Sequence, residues 1–258
     1  MVNAIRADLY RLFHTKGFYI TQFLLILFVV ISVTAEATGN VGVNTSDGAT
    51  EMQNHLQVYD WDSYQTFIAF SSMANFLVYF CLPLLVMIAG YDLVHKSYKN
   101  QLTSGVSRLQ YFGSKYLIFI VVTFLQFLFY YASAFLTAAV KNGFGTAPQD
   151  FWMNALQTIG IQFIAFHAIF IIDLCILIIT FSNVAGILSV ILLPLIINIL
   201  SAFFNIGWLK YVDFQYGINY AWVRDLPDFS WLVFLCFSLG VIIVMSYIAY
   251  QAFRNKSL

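Results

Sequence analysis

Six runs of mainly apolar residues, none shorter than 19, dominate this chain of 258 residues. They cover approximately 17–35, 67–89, 116–140, 155–180, 184–206 and 230–250. A helix needs roughly 20 such residues to cross the hydrocarbon of a bilayer. Hydrocarbon offers no water to backbone N–H and C=O groups, so a span must satisfy them internally. The sequence therefore predicts an all-α integral membrane protein of six transmembrane helices, forming one transmembrane domain over residues 1–258. Phe181, Ser182 and Asn183 alone separate the fourth and fifth runs, which makes a tight hairpin. Charged residues make up 9% of the chain, against about 25% in soluble domains, and that deficit excludes an ordinary soluble enzyme. Zero formal net charge, with no dense basic stripe, argues against nucleic acid as a partner.

Lys and Arg set the orientation, because they accumulate on the cytoplasmic side. Nine of the twelve fall on one side: Arg6, Arg11, Lys16, Lys96, Lys99, Arg108, Lys115, Arg254 and Lys256. Lys141, Lys210 and Arg224 fall in the other connections. Segment 36–66 holds Glu36, Asp47, Glu51, Asp60 and Asp62 and no Lys or Arg. Both termini are expected inside and segment 36–66 outside. Arg11, Lys16, the first apolar run and Ala35-Glu36-Ala37 also have the layout of a signal peptide with its cleavage site. Removal there would leave five spans, and the six-span reading keeps the first.

Residues 2–16 read as an amphipathic helix lying in the interface. Val2, Ile5, Leu9, Leu12 and Phe13 share one face, while Asp8 and Arg11 lie opposite at contact spacing. The 36–66 loop begins Gly-rich (Gly39, Gly42, Gly48) and ends aromatic (Tyr59, Trp61, Tyr64), at headgroup level. Its acidity reads as the ordinary lack of Lys and Arg in a translocated loop, with attraction of a cationic substrate as the rival reading. Asn44-Thr45-Ser46 forms a glycosylation sequon, which matters only in a secretory compartment. Segment 207–229 carries Trp208, Tyr211, Phe214, Tyr216, Tyr220, Trp222 and Phe229. It either dips into the membrane or lies along its surface as an aromatic belt. Pro83 and Pro194 each interrupt an apolar run, but their surroundings differ, so they do not mark the paired broken helices of an inverted repeat.

Catalytic patterns are missing from the sequence. It has no H-E-x-x-H, no G-x-S-x-G and no G-x-x-x-x-G-K-[ST] phosphate loop. The nearest string, Gly113-Ser114-Lys115, lacks the upstream glycine. His14, His55, His95 and His167 are scattered. Cys81, Cys175 and Cys236 all sit inside apolar runs and behave as small hydrophobes, not as a disulfide framework or metal site. One acid, Asp173, lies deep in an apolar run, where an ionisable group is costly and a functional role is the default hypothesis. Gln162, eleven residues earlier, shares its face about 16 Å away at 1.5 Å per residue. His167 lies on another face. Gln162 and Asp173 either line a translocation path or hydrogen-bond a neighbouring helix. A proton-coupled route would want ionisable partners on other runs, and the runs supply none.

The connection between the second and third runs carries the most information. Asp92 stands at the end of the second run, and Lys96, Ser97, Tyr98, Lys99 and Leu102 follow. Gly105 marks a turn, Ser107-Arg108 comes next, and Lys115 opens the third run. This reads as a short helix–turn element held at the membrane surface by its charges, the kind of element a soluble partner grips. A generic positively charged inner loop is the plainer reading.

In this stretch the chain resembles the permease subunits of ABC-2-type transporters, above all the small Gram-positive permeases of bacteriocin and lantibiotic immunity. That family has six spans, an interfacial N-terminal helix and both ends inside. An acid ends its second span. A G-T-x-[KR]-x-L-like string, a small-residue–Arg pair and a Lys then lead into the third. Asp92, Lys99, Leu102, Ser107, Arg108 and Lys115 occupy the matching places. Asp92 replaces the usual Glu, and Ser97-Tyr98 the usual Gly-Thr. The likeness in topology covers the whole chain, and the motif about 25 residues. The resemblance implies a bacterial plasma-membrane exporter of a peptide antibiotic, bacteriocin or other amphiphile. It implies pairing with a second copy or a sister permease. ABC ATP-binding subunits would dock on the 92–115 connection, with ATP and Mg on those subunits and no cofactor or enzymatic activity on this chain. Two rivals stand beside it: an ion-coupled secondary transporter using Asp173, and a non-transporting receptor or scaffold.

Overall fold

The computed structural model describes residues 2–39, 60–204, 207–223, 226 and 229–255. Among these residues the protein is 82% helical and has no strand. It is an all-α membrane protein, and among the described residues six helical stretches are long and apolar enough to cross a bilayer, the second of them, Asn75–Val94, running through a π turn. In chain order the elements are α1 (Val2–Phe13), α2 (Lys16–Ala35), α3 (Ser63–Ser72), α4 (Asn75–Leu85), a π turn (Val86–Gly90), α5 (Tyr91–Val94), α6 (Tyr98–Thr103), α7 (Arg108–Asn142), α8 (Phe151–Thr180), α9 (Asn183–Phe204), a 3₁₀ turn (Leu209–Tyr211), α10 (Phe214–Asn219) and α11 (Trp231–Arg254). Asn44-Thr45-Ser46, Asp47, Glu51, His55, Tyr59, Arg224 and Lys256 lie outside the described residues.

The apolar runs became helices, with boundaries set by local capping. The third helix begins at Arg108, eight residues before its apolar run. Ser107 accepts the Gln110 N–H and donates its own N–H to the Gln110 side chain, a reciprocal cap that starts the helix early. The second apolar run, expected over 67–89, is not one helix, and the stretch able to cross a bilayer is Asn75–Val94 instead. The Ser71 and Ser72 hydroxyls donate back to the carbonyls of Ile68 and Ala69 and compete with the helix ladder there, and α3 ends at Ser72. Further along, Pro83 supplies no N–H, and the backbone opens into the π turn, a recurrent cause of bending.

α7 and α8 organise the packing. α2, α3 and α4 lie on α7, and α9, α10 and α11 lie on α8. Their burial is unequal: 67% of the most apolar window of α8 is buried, against 11% for α9 and 17% for α11. Large faces of α9 and α11 therefore present Leu, Ile, Val and Phe outwards, as a bilayer or a second apolar chain requires. α9 folds back along α8 through the expected hairpin, with Phe181 in the left-handed region as the cap. Segment 207–223 is neither a free loop nor a surface belt, because α10 packs against α8, α3 and α4. Gly217 permits a close approach of α10 to α11, since a Cβ there would overlap the ring of Phe234.

Candidate functional site

Four charged side chains meet where α1, α5 and α7 converge. Arg11 forks onto Asp92, with Nη1 at 2.5 Å from Oδ1 and Nη2 at 3.1 Å from Oδ2. Lys115 Nζ lies 2.5 Å from Asp92 Oδ2 and 2.7 Å from Asp8 Oδ2. Arg11 also approaches Asp8 at 3.4 Å, and the Ser97 hydroxyl donates to Asp92 Oδ1 at 3.0 Å. Asp8, Asp92 and Lys115 are buried and Arg11 is partly exposed. Two carboxylates balance two cations, so the cluster is neutral as a unit. Isolated charges would be prohibitive at this depth, and mutual pairing with good hydrogen bonds is the condition for burying them. The Asp92 hydrogen bond raises the Arg11 pKa above its ordinary value, while burial opposes it.

The structure thus brings together two residues expected from the connection, Asp92 and Lys115, and adds Asp8 and Arg11 from α1. The sequence reading placed Asp8 and Arg11 on an outward polar face. Instead Asp8 faces the bundle beside Leu12, four residues on, which is a shared side on a helix. Asp8 at i relative to an apolar anchor at i+4 was the available signal. Without knowledge of Asp92 and Lys115 nearby, it did not distinguish burial from solvation.

Between Asp92 and Lys115 the chain forms the expected helix–turn element. α6 is followed by Gly105 at φ +93°, a conformation suited to glycine. Lys96, Asn100, Thr103 and Ser104 are exposed, Lys99 is half-buried and Leu102 packs on the core. Tyr98 is buried and anchors the element. Its ring stacks on Phe181 of the α8–α9 hairpin at 5.8 Å and meets Phe253 of α11 edge-on at 5.5 Å. Tyr98 stands where the resembled family carries a small residue, so its role as a junction was not legible from the motif.

Arg108 takes no part in the charge cluster. It donates to the carbonyls of Phe253, at 3.2 Å, and Arg254, at the end of α11. A cation there satisfies terminal carbonyls and complements the helix dipole. Ser107 is the cap of α7.

Gln162 and Asp173 are both buried but have different neighbours. Gln162 Nε2 donates to the carbonyls of Ser71, at 2.8 Å, and Ile218, at 3.0 Å, and its Oε1 accepts from the Tyr131 hydroxyl at 2.5 Å. It ties α8 to α3, α7 and α10. Asp173 faces Gly186 of α9, where a Cβ would crowd its Oδ1, and that oxygen has no hydrogen-bond partner. His167 is packed among the rings of Tyr116, Phe119 and Phe163. Among the described residues, no group of three His, Cys, Asp or Glu is placed to hold a metal.

These features define a polytopic helical membrane protein with an ionic joint at one end of its bundle. Comparison with protein-family models, with curated proteins and with solved structures finds no match.

Proposed function

We propose that this chain is the permease subunit of an ATP-driven ABC-2-type exporter. It would sit in a bacterial plasma membrane with both ends cytoplasmic and pair with a second copy or a sister permease. ATP and Mg would be held by separate ATP-binding subunits. One observation carries the reading: the charge cluster clamps both ends of the 92–115 connection and ties them to α1, while Lys96 and, on α6, Asn100 and Thr103 stay exposed between them. An element fixed at its roots and accessible at its tip is suited to receive force from a soluble partner. Tyr98 would pass that force to the α8–α9 hairpin and α11, which it touches directly. The cargo fitting the resemblance is a peptide antibiotic, bacteriocin or other amphiphile.

The test is co-purification from the native host in mild detergent. An ATP-binding cassette subunit should accompany the chain and be lost in a Lys96→Glu/Lys99→Glu double variant whose thermal unfolding is unchanged. Recovery of the chain alone across several detergents would overturn the proposal. Charge reversal at Arg108 is expected to weaken docking indirectly, by loosening α11; intact docking and transport in Arg108→Glu would remove that residue from the coupling set. The unpartnered oxygen of Asp173 favours a second reading, an ion-coupled carrier. That reading requires transport driven by an ion gradient without any ATPase, and abolished in Asp173→Asn.

A further inference from the structure

Between α8, α9 and α11, beside the N-terminal end of α10, lies a cavity of about 560 Å³. That volume is in the range of sites for small molecules. Ile172, Leu193, Val241 and Val244 form apolar walls, and Gly240 leaves one wall bare, since a Cβ there would meet nothing within 4 Å.

One carboxylate, Asp213, lines this space. It is carried there by the tucked segment. Thr158 bonds the carbonyl of Ala221 at 3.3 Å and Gln162 that of Ile218 at 3.0 Å. α10 therefore runs antiparallel to α8, and Asp213, five residues before Ile218, lies deeper in the bundle than either contact. It is 8% exposed and caps α10 by accepting the Tyr216 N–H at 3.0 Å. The ion pairs among the described residues engage Asp8, Asp92 and Glu36, and none engages Asp213. Buried acids in membrane proteins pair with cations or mark ligand paths. Here Asp213 and the apolar walls line the same void.

We propose that this cavity binds a single-chain amphiphile bearing one cationic group, with the chain between α8, α9 and α11 and the cation on the Asp213 carboxylate. Treating that ligand as cargo rests on the exporter reading, whereas the binding does not. The purified chain in nanodiscs of zwitterionic phospholipid, titrated with dodecylamine and with 1-dodecanol and followed by tryptophan fluorescence, gives the two dissociation constants. The amine should bind at least tenfold more tightly. Asp213→Asn keeps the helix cap, because Asn serves there as well as Asp, and should erase the preference while leaving dodecanol binding unchanged. Gly240→Leu should weaken both ligands at least tenfold by projecting a side chain into the void. Equal constants in the wild type, a preference surviving in Asp213→Asn, or undiminished binding in Gly240→Leu would each overturn the site. The ATP-binding subunit plays no part in these measurements, so failure of the exporter reading would show separately, in the co-purification.

Discussion

Where α1, α5 and α7 meet, the bundle is joined by full charges: Asp8, Arg11, Asp92 and Lys115 within hydrogen-bond reach of one another. Where α10 tucks against α8, the joint is made of neutral groups. An amide and a hydroxyl there reach the backbone carbonyls of Ser71, Ile218 and Ala221. Both joints solve the same problem, polar groups removed from water, but they fail differently. A buried ion left without its partner is penalised far more than a bare carbonyl. The ionic joint is therefore the more brittle one, while the neutral joint should loosen in steps.

Removing one cation from the ionic joint should have the largest effect. Lys115→Met leaves two carboxylates facing Arg11 alone and should cost about 3–5 kcal/mol, seen as a large drop in the thermal unfolding midpoint or in folded yield. Adding Asp8→Asn should recover part of that loss by restoring neutrality. Equal midpoints for the single and double variants would mean that the four groups do not act as one unit.

A smaller, local effect is expected at the neutral joint. Gln162→Leu strips hydrogen bonds from Ser71, Ile218 and Tyr131, and each partner left bare costs about 1–3 kcal/mol. Hydrogen exchange should rise first in α10 and around Ser71. Exchange rising uniformly through the protein would show the two joints to be coupled. Arg108→Gln should cost about 1 kcal/mol, the size of a typical hydrogen bond, with faster exchange confined to the last turn of α11.

The smallest effect belongs to the exposed pair of Glu36 and Lys141, 2.7 Å apart at the far end of α2 and α7. Its Lys141 hydrogen bond holds the Glu36 carboxyl below the usual carboxylate range. A depressed acid contributes stability above its unfolded pKa and loses it as pH falls through the folded value. Any contribution should therefore vanish under acid, and Lys141→Gln should leave the neutral-pH unfolding midpoint within error.

This contrast also explains what the sequence revealed. Charges against an apolar background are conspicuous, so Asp92 and Lys115 could be singled out from the connection alone. Asp8 and Arg11 were visible too, but their partners lie 107 and 81 positions away, and helical periodicity carries no such distance. The six spans follow from run length. The break at Ser71-Ser72 and the π turn do not, since hydropathy averages over both. Segment 207–223 was the hardest to place. Its aromatic residues suit a belt and a tucked segment equally, and the deciding contacts are backbone carbonyls, which every residue possesses. Asp213 was overlooked for the same reason, since a carboxylate between apolar runs looks solvated until the loop is seen to turn inward.

The ionic joint also has a timetable. Asp8 and Arg11 are synthesised early, Asp92 follows about 80 positions later and Lys115 completes the set. At roughly 5–20 residues per second, the 107 positions separating Asp8 from Lys115 take about 5–20 s to translate. Throughout that interval Asp8 has only Arg11, three residues on, as a cationic neighbour, with two spans made and the third still emerging. Closing the joint thus requires the first two spans and the start of the third. A chain stalled before the third would leave Asp8 and Asp92 sharing Arg11 alone.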